Sequence, residues 1–334
     1  MKNSIDIIAT LGPSTLKSDV LKNLKKDINF FRLNMSHLTL KQLEKNLKFL
    51  KKNNISNICI DTEGAQVRTV LLKKKYFKKK ELLEVTNSIK FSNRVSFYPS
   101  FKLNNIKKNT KIKIGFQGLE IKVIKNYKNY LKCVVTNPGY LESNKGVHFN
   151  CKIELNPLTD KDLKAIEIAK QFGVKKFALS FANCKQDVTY LRNLISSNDQ
   201  IISKIETKLG FINRLGIAKL SDAILIDRGD LSRYIDISKI PLAQRIIHED
   251  CKKIKKKVYV ATNLLETMIN FNEPTRAESN DIFSSLEMGC EGLVLAAETA
   301  IGKYPVECKN FLKKCIKVYL MRNKIVNNKN NFFN

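Results

Sequence analysis

The feature that most constrains this chain is a regular alternation of short apolar segments with longer segments of helical period. The pattern opens with a strand in SIDIIATLG, a helix over 16–26, the strand NFFRLN, a helix over 40–52 and the strand NICID, which ends near Asp61. Strands that alternate with helices in this way pair in parallel. The chain therefore opens as a section of a parallel α/β sheet.

This alternation is interrupted once and then resumes. The interruption is rich in lysine and alternates polar with apolar residues, as in TKIKIGFQGLEIKVI, which predicts a small inserted β domain. Counting both sides of the insertion gives eight strands, so the predicted fold class is α/β, a TIM-type (β/α)8 barrel with an inserted small β-barrel domain. The site of such a barrel lies at the C-terminal ends of its strands. The predicted segments are a first barrel segment over 1–69, the β insertion over 70–150, a second barrel segment over 151–320 and a frayed polar tail over 321–334.

The composition is typical of a globular protein without a membrane segment. Hydrophobic residues make up 43% of the chain, yet its most apolar runs, such as 223–226 and 293–297, are far shorter than the roughly 20 residues of a spanning helix. The start MKNSIDIIATLG lacks the features of a signal peptide, and the eight cysteines form no CxxC pair and show no zinc-ligand spacing. We therefore expect a cytoplasmic protein with reduced thiols and no membrane partner.

The net charge of +29 suggests a nucleic-acid partner, but the distribution of the charge argues against one. The 50 lysines outnumber the 10 arginines, and they are spread over almost every polar segment rather than gathered with aromatic residues on one face. A genome biased towards AT-rich codons would produce the same excess of Lys, Asn and Ile. We expect weak, nonspecific binding to polyanions and no specific nucleic-acid partner.

Polar residues stand at the ends of the predicted strands. In a (β/α)8 barrel these ends surround one mouth, where active sites lie. Strand ends are often polar simply because loops begin there, and that explanation suffices for most single positions. The residues are Thr10, Arg32, Asn34, Ser36, Asp61, Thr62, Ser180, Lys204, Glu206, Arg228, Asp230, Thr262, Glu298 and Thr299.

Lys204, Glu206 and Asp230 together exceed what loop polarity explains. Lys204 and Glu206 flank Ile205, so the two-residue period of a strand turns both towards the barrel interior and Ile205 towards the helices. Burying a cation and an anion is costly unless a ligand or a metal completes the site. Glu206 and Asp230, on adjacent strands, offer the hard oxygen ligands that Mg²⁺ prefers.

Arginine is scarce in this chain, yet it stands beside glycine or polar site residues at Arg32, Arg68, Arg228 and Arg276. Planar, bidentate recognition of phosphate or carboxylate needs arginine rather than lysine. In DRGDLS, Gly229 would let a ligand approach the backbone, and the N–H groups of a short helix would face an anion. No GxxxxGK[ST], GxGxxG or GxSxG sequence is present, so P-loop, Rossmann and α/β-hydrolase sites are not expected.

These residues lie within long motifs that resemble the pyruvate kinases, and the resemblance runs from Ile5 to about Val318. It implies a phosphotransferase that moves the phosphoryl group of phosphoenolpyruvate to ADP, giving pyruvate and ATP, with the insertion as a mobile lid domain. The motifs are ATLGPST at 9–15, FRLNMSH at 31–37, IDTEGAQVRT at 60–69, SNKGV at 143–147, SKIETKLG at 203–210, ILIDRGDLS at 224–232, ATNLLETM at 261–268, EPTRAESND at 273–281 and LAAETAIGKYP at 295–305.

The resemblance also implies roles for individual residues. Lys204 would stabilise the phosphoryl group in transfer, Arg32 would hold the phosphate, and Thr262 would help to deliver a proton to C3 of the enolate. The backbone of Arg228, Gly229 and Asp230 would receive the substrate carboxylate. The implied ligands are Glu206 and Asp230 for Mg²⁺ or Mn²⁺, and Asn34, Ser36, Asp61 and Thr62 for K⁺. The residues implied near the nucleotide are Arg32, His37, Arg68 and Lys145.

Several positions depart from the family pattern. Glu63 and Gln66 replace a usual lysine and a usual acidic residue, and Asp227 replaces a small residue. In the family, an acidic residue at position 66 accompanies K⁺ dependence and a lysine accompanies independence, so Gln66 leaves the requirement open. Because the oxygen ligands are retained and Glu63 would add negative charge nearby, we expect K⁺ dependence. Substitutions such as Asp227 keep a second hypothesis in view, a barrel that binds ligand without efficient turnover.

The sequence stops about one helix after the eighth barrel unit, where the family ordinarily continues with an α/β domain that binds an allosteric sugar phosphate. We therefore expect a short, unregulated form, and a homo-oligomer through the barrel domain is left open. The hypotheses are an active pyruvate kinase, an impaired pyruvate-kinase-like barrel and a basic nucleic-acid-binding protein. The intact set of Lys204, Glu206, Asp230, Arg32 and Thr262 favours the first.

Overall fold

The computed structural model describes residues 4–70, 73–87, 94–115 and 118–327, with side chains up to residue 322. The chain divides into two compact units. The larger unit joins Met1–Gly64 to Asp160–Asn334, and the smaller unit is Ala65–Thr159. The smaller unit therefore contains the predicted insertion over 70–150 and extends a few residues beyond it on each side.

The strands are short, as expected for an α/β barrel with a small β insertion. In chain order, the strands found among the described residues are β1 Asp6–Thr10, β2 Phe30–Asn34, β3 Ile58–Asp61, β4 Val67–Val70, β5 Lys75–Phe77, β6 Leu82–Thr86, β7 Val95–Tyr98, β8 Lys111–Ile114, β9 Leu119–Asn126, β10 Leu131–Asn137, β11 Gly139–Leu141, β12 Gly146–Phe149, β13 Lys176–Leu179, β14 Gln200–Ile205, β15 Ala223–Asp227, β16 Lys257–Ala261 and β17 Gly292–Leu295.

The α-helices that the structure describes belong to the larger unit. Two of them begin with reciprocal capping boxes, Thr39 with Gln42 and Thr275 with Glu278, which satisfy backbone N–H groups that a helix start leaves unpaired. The α-helices are α1 Ser18–Leu24, α2 Leu40–Lys52, α3 Asp160–Gln171, α4 Lys185–Leu194, α5 Lys208–Ile212, α6 Arg214–Leu220, α7 Arg228–Leu231, α8 Ile240–Lys253, α9 Arg276–Glu287, α10 Ala297–Ala300 and α11 Pro305–Asn327.

Eight strands of the larger unit close into a barrel in the order β1-β17-β16-β15-β14-β13-β3-β2. All neighbouring strands in it pair in parallel. Helices separate successive strands along the chain, except that the smaller unit also lies between β3 and α3. The predicted (β/α)8 barrel is therefore confirmed.

The barrel interior contains an apolar layer of both small and large side chains. The ring of Tyr259 lies against its ladder partner Gly292 on β17, where a Cβ would approach the ring to 2.4 Å, so glycine suits that position. Residues two positions further along each strand point to the same interior face, nearer the C-terminal ends. The layer consists of Ile8, Phe30, Cys59, Ala178, Ile202, Ala223, Leu225, Tyr259, Ala261 and Val294.

The smaller unit is itself a closed β-barrel. Its strands follow the order β10-β6-β7-β4-β12-β8-β9, and β5 and β11 form a separate two-stranded sheet. Alternate residues of these strands point inwards and form an apolar core that includes Val85, Phe97, Ile121 and Val135. The predicted β-barrel insertion is confirmed.

The last helix continues beyond its predicted end. The sequence pattern predicts a helix over 306–320, but the helix runs from Pro305 to Asn327, so the tail predicted from residue 321 begins inside it. Residues 328–334 lie outside the described residues. None of the helices described has both the length and the apolar character needed to cross a membrane.

Candidate functional site

Lys204 lies at the centre of a charged layer that follows the apolar layer of the larger barrel. Its Nζ is 2.8 Å from Glu206 Oε1, 3.3 Å from Asp61 Oδ1 and 3.6 Å from Asp227 Oδ2. It also donates a hydrogen bond to Ser180 Oγ at 3.2 Å. Only 4% of Lys204 is exposed, so one buried ammonium faces three carboxylates.

Strand alternation explains why this layer is charged. Ile202 belongs to the apolar interior layer, so Lys204 and Glu206 point to the same face, while Ile205 is buried outside it. Burial alone would lower the pKa of Lys204, but the charges of Asp61, Glu206 and Asp227 outweigh it and raise that pKa above its usual range. The neighbouring carboxylates therefore favour the charged form of Lys204.

Three carboxylates beside Lys204 could hold a metal ion. One oxygen from each of Glu206, Asp227 and Asp230 lies within 4.8 Å of the others. Burial, with the charges of Asp227 and Asp230, raises the pKa of Glu206 to about 8, although Lys204 opposes this. Glu206 Oε2 accepts the N–H of Phe181 at 2.6 Å, and Oε1 lies 2.8 Å from Lys204 Nζ. Hard, crowded oxygens of this kind fit a divalent cation.

Asp61 connects this cluster to the neighbouring strands. Arg32 Nη1 lies 3.3 Å from Asp61 Oδ2, and Arg32 Nε donates to Thr10 Oγ1 at 2.9 Å. Ser180 Oγ donates to Asp61 Oδ1 at 3.0 Å. Asp61 is completely buried, so the guanidinium of Arg32 and the ammonium of Lys204 balance its charge in the absence of solvent.

The four residues implied as K⁺ ligands lie at the ends of β2 and β3, which are paired so that Asn34 faces Asp61. Asn34 Oδ1 accepts the N–H of Ser36 at 2.9 Å, which shapes the turn after β2. Thr62 Oγ1 donates to the carbonyl of Ala178 at 3.2 Å. The structure therefore brings these residues to one side of the barrel mouth.

Glu63 does not stand as an isolated negative charge beside these ligands. Its Oε1 lies 2.8 Å from Lys161 Nζ, and the same ammonium donates to the carbonyl of Met35 at 2.6 Å. Glu63 is 7% exposed. Lys161 therefore neutralises the extra negative charge expected at Glu63. The two residues come from distant regions of the sequence.

Arg228 uses its side chain within the protein. Its Nη2 donates to the carbonyl of Thr262 at 2.6 Å, and its Nη1 donates to Asp281 at 2.7 Å. A Cβ at Gly229 would lie 2.9 Å from the methyl group of Thr262, so glycine is required there for packing against Thr262. Asp230 follows in the short helix α7 and joins the carboxylate group already described.

The residues implied near the nucleotide belong to both units. Arg32 and His37 lie in the larger unit, where His37 ends a 3-10 helix. Arg68 and Lys145 lie in the smaller unit, on or next to the paired strands β4 and β12. There Arg68 Nη1 donates to the carbonyl of Asn144 at 3.3 Å, and Lys145 Nζ lies 3.0 Å from Glu142.

Asp227 was not among the predicted site residues, although the structure places it in the centre of the site. Its Oδ1 accepts the hydroxyl proton of Thr262 at 2.5 Å. Burial would raise the pKa of Asp227, but Lys204 and the Thr262 hydroxyl lower it below its usual range. The sequence carried a signal for this position, because Asp227 continues the inward-facing series of Ala223 and Leu225.

The chain is similar to known proteins over almost its whole length. The family model described as "Pyruvate kinase, barrel domain" matches residues 2–309. The chain belongs to the pyruvate kinase family. It is 35% identical to the pyruvate kinase of Methanocaldococcus jannaschii over 95% of this chain and 70% of that protein. The pyruvate kinase of Thermotoga maritima is 33% identical over 94% and 70%, and that of Encephalitozoon cuniculi is 30% identical over 92% and 73%.

Membership of the pyruvate kinase family makes the chain an enzyme of the phosphotransferase class.

Proposed function

We propose that this chain catalyses transfer of the phosphoryl group of phosphoenolpyruvate to ADP, forming pyruvate and ATP in the last step of glycolysis. The observation that carries the proposal is the buried Lys204 ammonium, which lies at the C-terminal ends of the barrel strands among Asp61, Glu206 and Asp227. Phosphoryl transfer depends mainly on positioning and on stabilising developing negative charge. A fixed cation beside a carboxylate metal site supports that chemistry.

The chain's own residues would divide the work as follows. Lys204 and Arg32 supply two fixed positive charges to the phosphoryl group, and their pairing with Asp61 holds both in place before substrate arrives. The backbone of 228–230 adjoins Asp227, to which the N–H of Asp230 donates, and we assign the substrate carboxylate to this segment. Thr262, held against the same segment, acts at the carbon that gains a proton.

The donor set also supports the proposed cofactors. Glu206 and Asp230, with Asp227 nearby, would hold Mg²⁺ or Mn²⁺, since their oxygens are hard and converge. Such an ion, when bound, neutralises charge on the phosphoryl group and the carboxylate of the substrate. Asn34, Ser36, Asp61 and Thr62 would hold K⁺ through oxygen atoms. Because Lys161 neutralises Glu63, the case for K⁺ depends on these four residues alone.

Pyruvate formation measured in a coupled assay tests the proposal. The complete reaction contains phosphoenolpyruvate, ADP, Mg²⁺ and K⁺, and parallel reactions omit ADP, omit Mg²⁺, or replace K⁺ with tetramethylammonium at equal ionic strength. We expect pyruvate only when ADP and a divalent ion are present, and a lower rate without K⁺. Pyruvate formation no greater than that of a Lys204→Met variant would contradict the proposed activity and favour a barrel that binds without turnover.

A further inference from the structure

Thr262 has a strained backbone at the mouth of the larger barrel. It directly follows β16 and has a φ of +78°, a left-handed conformation that β-branched residues rarely adopt. A conformation of this kind is unfavourable by itself and persists only where the surroundings hold it in place. The contacts that hold Thr262 therefore indicate which of its groups must be fixed.

Three consecutive residues hold three different groups of Thr262. Arg228 donates from Nη2 and Nε to its carbonyl oxygen, at 2.6 and 3.2 Å. Gly229 leaves room for its methyl group, since a Cβ there would approach Cγ2 to 2.9 Å. Asp227 accepts its hydroxyl proton at 2.5 Å. Backbone, methyl and hydroxyl are thus each constrained by the segment 227–229.

Asp227 is itself fixed in place. It pairs with Ala261 in the ladder between β15 and β16, which sets it beside the residue that precedes Thr262. Its carboxylate also accepts a hydrogen bond from the backbone of Asp230. Asp227 Oδ2 lies 3.6 Å from Lys204 Nζ, an ion-pair distance that is too long for a hydrogen bond. Among the contacts described here, the one with Thr262 is therefore the shortest that Asp227 makes to a site side chain.

We propose that Asp227 is a positioning residue that fixes the direction of the Thr262 hydroxyl. A hydroxyl has one proton, and here that proton is donated to Asp227. Thr262 consequently presents its oxygen lone pairs to the site, where it would accept a hydrogen bond from the water that protonates the carbon and so orient that water, rather than give up its own proton. This inference rests on the proposed function, in which Thr262 acts next to the carbon that is protonated.

A double-mutant cycle tests whether Asp227 acts through Thr262. The proteins are the wild type, Asp227→Ala, Thr262→Val and the double variant. We expect Asp227→Ala to lower kcat by about ten- to a hundredfold, the loss typical of a misplaced catalytic group, with KM for phosphoenolpyruvate changed less than about threefold. In the Thr262→Val background the same substitution should lower kcat less than about twofold, because the hydroxyl that it positions is gone.

Two further measurements separate positioning from a structural effect. Asp227→Asn, whose amide oxygen can still accept the hydroxyl proton, should have a higher kcat than Asp227→Ala when both are assayed at saturating Mg²⁺, although both lack the charge of Asp227. Exchange of the methyl protons of pyruvate in D₂O, followed by NMR, should fall in Asp227→Ala in parallel with kcat. Ser221→Ala is a matched control, because it removes a buried hydroxyl outside the charged cluster. That hydroxyl lies 2.7 Å from Ser203 Oγ. This substitution should lower the melting temperature without lowering kcat.

Each outcome bears on the proposal. The proposal would be overturned if Asp227→Ala had the kcat of the wild type, because Asp227 would then play no part. It would also be overturned if the fall in kcat in the double variant equalled the product of the falls in the two single variants, because Asp227 would then act independently of Thr262. Circular dichroism establishes that each variant is folded before the rates are compared. A wild-type protein that forms no pyruvate would refute the proposed function, and the inference would fail with it.

Discussion

At the scale of single residues, Lys204 is the side chain whose loss should lower activity most. A preorganised charge contact of this kind contributes about 3 to 5 kcal/mol to the transition state, so Lys204→Met should lower kcat by about 10² to 10⁴-fold. Steady-state kinetics with phosphoenolpyruvate measure the effect. Lys309→Met is the matched control, because Lys309 is also a buried lysine with a carboxylate partner, Asp27 at 2.8 Å, on the outer helix α11. A Lys204→Met variant with normal kcat would exclude Lys204 from the chemistry.

His248, also a buried ionisable residue, should make stability depend on pH. It lies in α8 with Nε2 unpaired among the described residues, and burial lowers its pKa from 6.5 to about 4. The unfolded chain therefore binds the proton more tightly than the folded chain. The contribution of His248 to the free energy of unfolding is complete above pH 6.5 and is lost as the pH falls towards 4. At pH 5 the loss of unfolding free energy is about 2 kcal/mol.

The variant His248→Gln tests this expectation, since it cannot titrate. The free energy of unfolding, measured with urea at pH 7 and pH 5, should fall less in His248→Gln than in the wild type. If the wild type and the variant lost the same free energy over this interval, other groups would account for the acid sensitivity.

At the scale of elements, the start of α3 holds the loop after β3. Asp162 is completely buried and accepts the N–H groups of Glu63 and Gly64, at 2.7 and 3.1 Å. Gly64 has a φ of +70°, and a Cβ there would lie 2.4 Å from the carbonyl of Ser180, so the loop passes where only glycine fits. The loop that carries Asp61 and Thr62 is thus set by a helix about a hundred residues later in the chain.

Asp162→Ala should therefore destabilise the larger unit. Two buried N–H groups would lose their acceptor, at a cost of about 2 to 4 kcal/mol of unfolding free energy. Asp160→Ala is the control, because Asp160 is an exposed residue in the first turn of the same helix and should contribute less than about 1 kcal/mol. Urea unfolding of both variants gives the comparison, and equal losses would show that Asp162 does not support the loop.

At the scale of the whole molecule, the excess of positive charge should lower stability. Sixty Lys and Arg residues face 31 Asp and Glu residues, so like charges repel over the surface. Salt screens such repulsion. We expect the midpoint of thermal unfolding to rise by about 3 °C or more between about 0.02 and 0.5 M sodium chloride.

Chemical modification provides the control for the salt effect. Reductive methylation of surface lysines keeps their charge and should keep the salt response, whereas acetylation removes the charge and should weaken it. Lys204 is 4% exposed, so we expect both reagents to modify it far more slowly than the surface lysines. A midpoint that falls with salt in the unmodified protein would mean that surface ion pairs outweigh the repulsion.

The sequence by itself determined the barrel and much of its charged mouth. Alternating strand and helix patterns set the number of strands, because each strand needs an apolar face and each helix an apolar stripe to close the layers. The two-residue period placed Lys204 and Glu206 on one interior face, and the structure has their charged atoms 2.8 Å apart. These features follow from contacts between neighbours in the chain or in one strand.

Only the tertiary structure decided how the polar residues share partners. The ion pair of Glu63 with Lys161, the contact of Asp227 with Thr262 and the support of the loop at Gly64 by Asp162 each join segments that are 35 or more residues apart. Hydrogen bonds of buried side chains depend on angles and distances of a few tenths of an ångström. Local sequence patterns set the direction of a side chain but not the position of a partner from another strand.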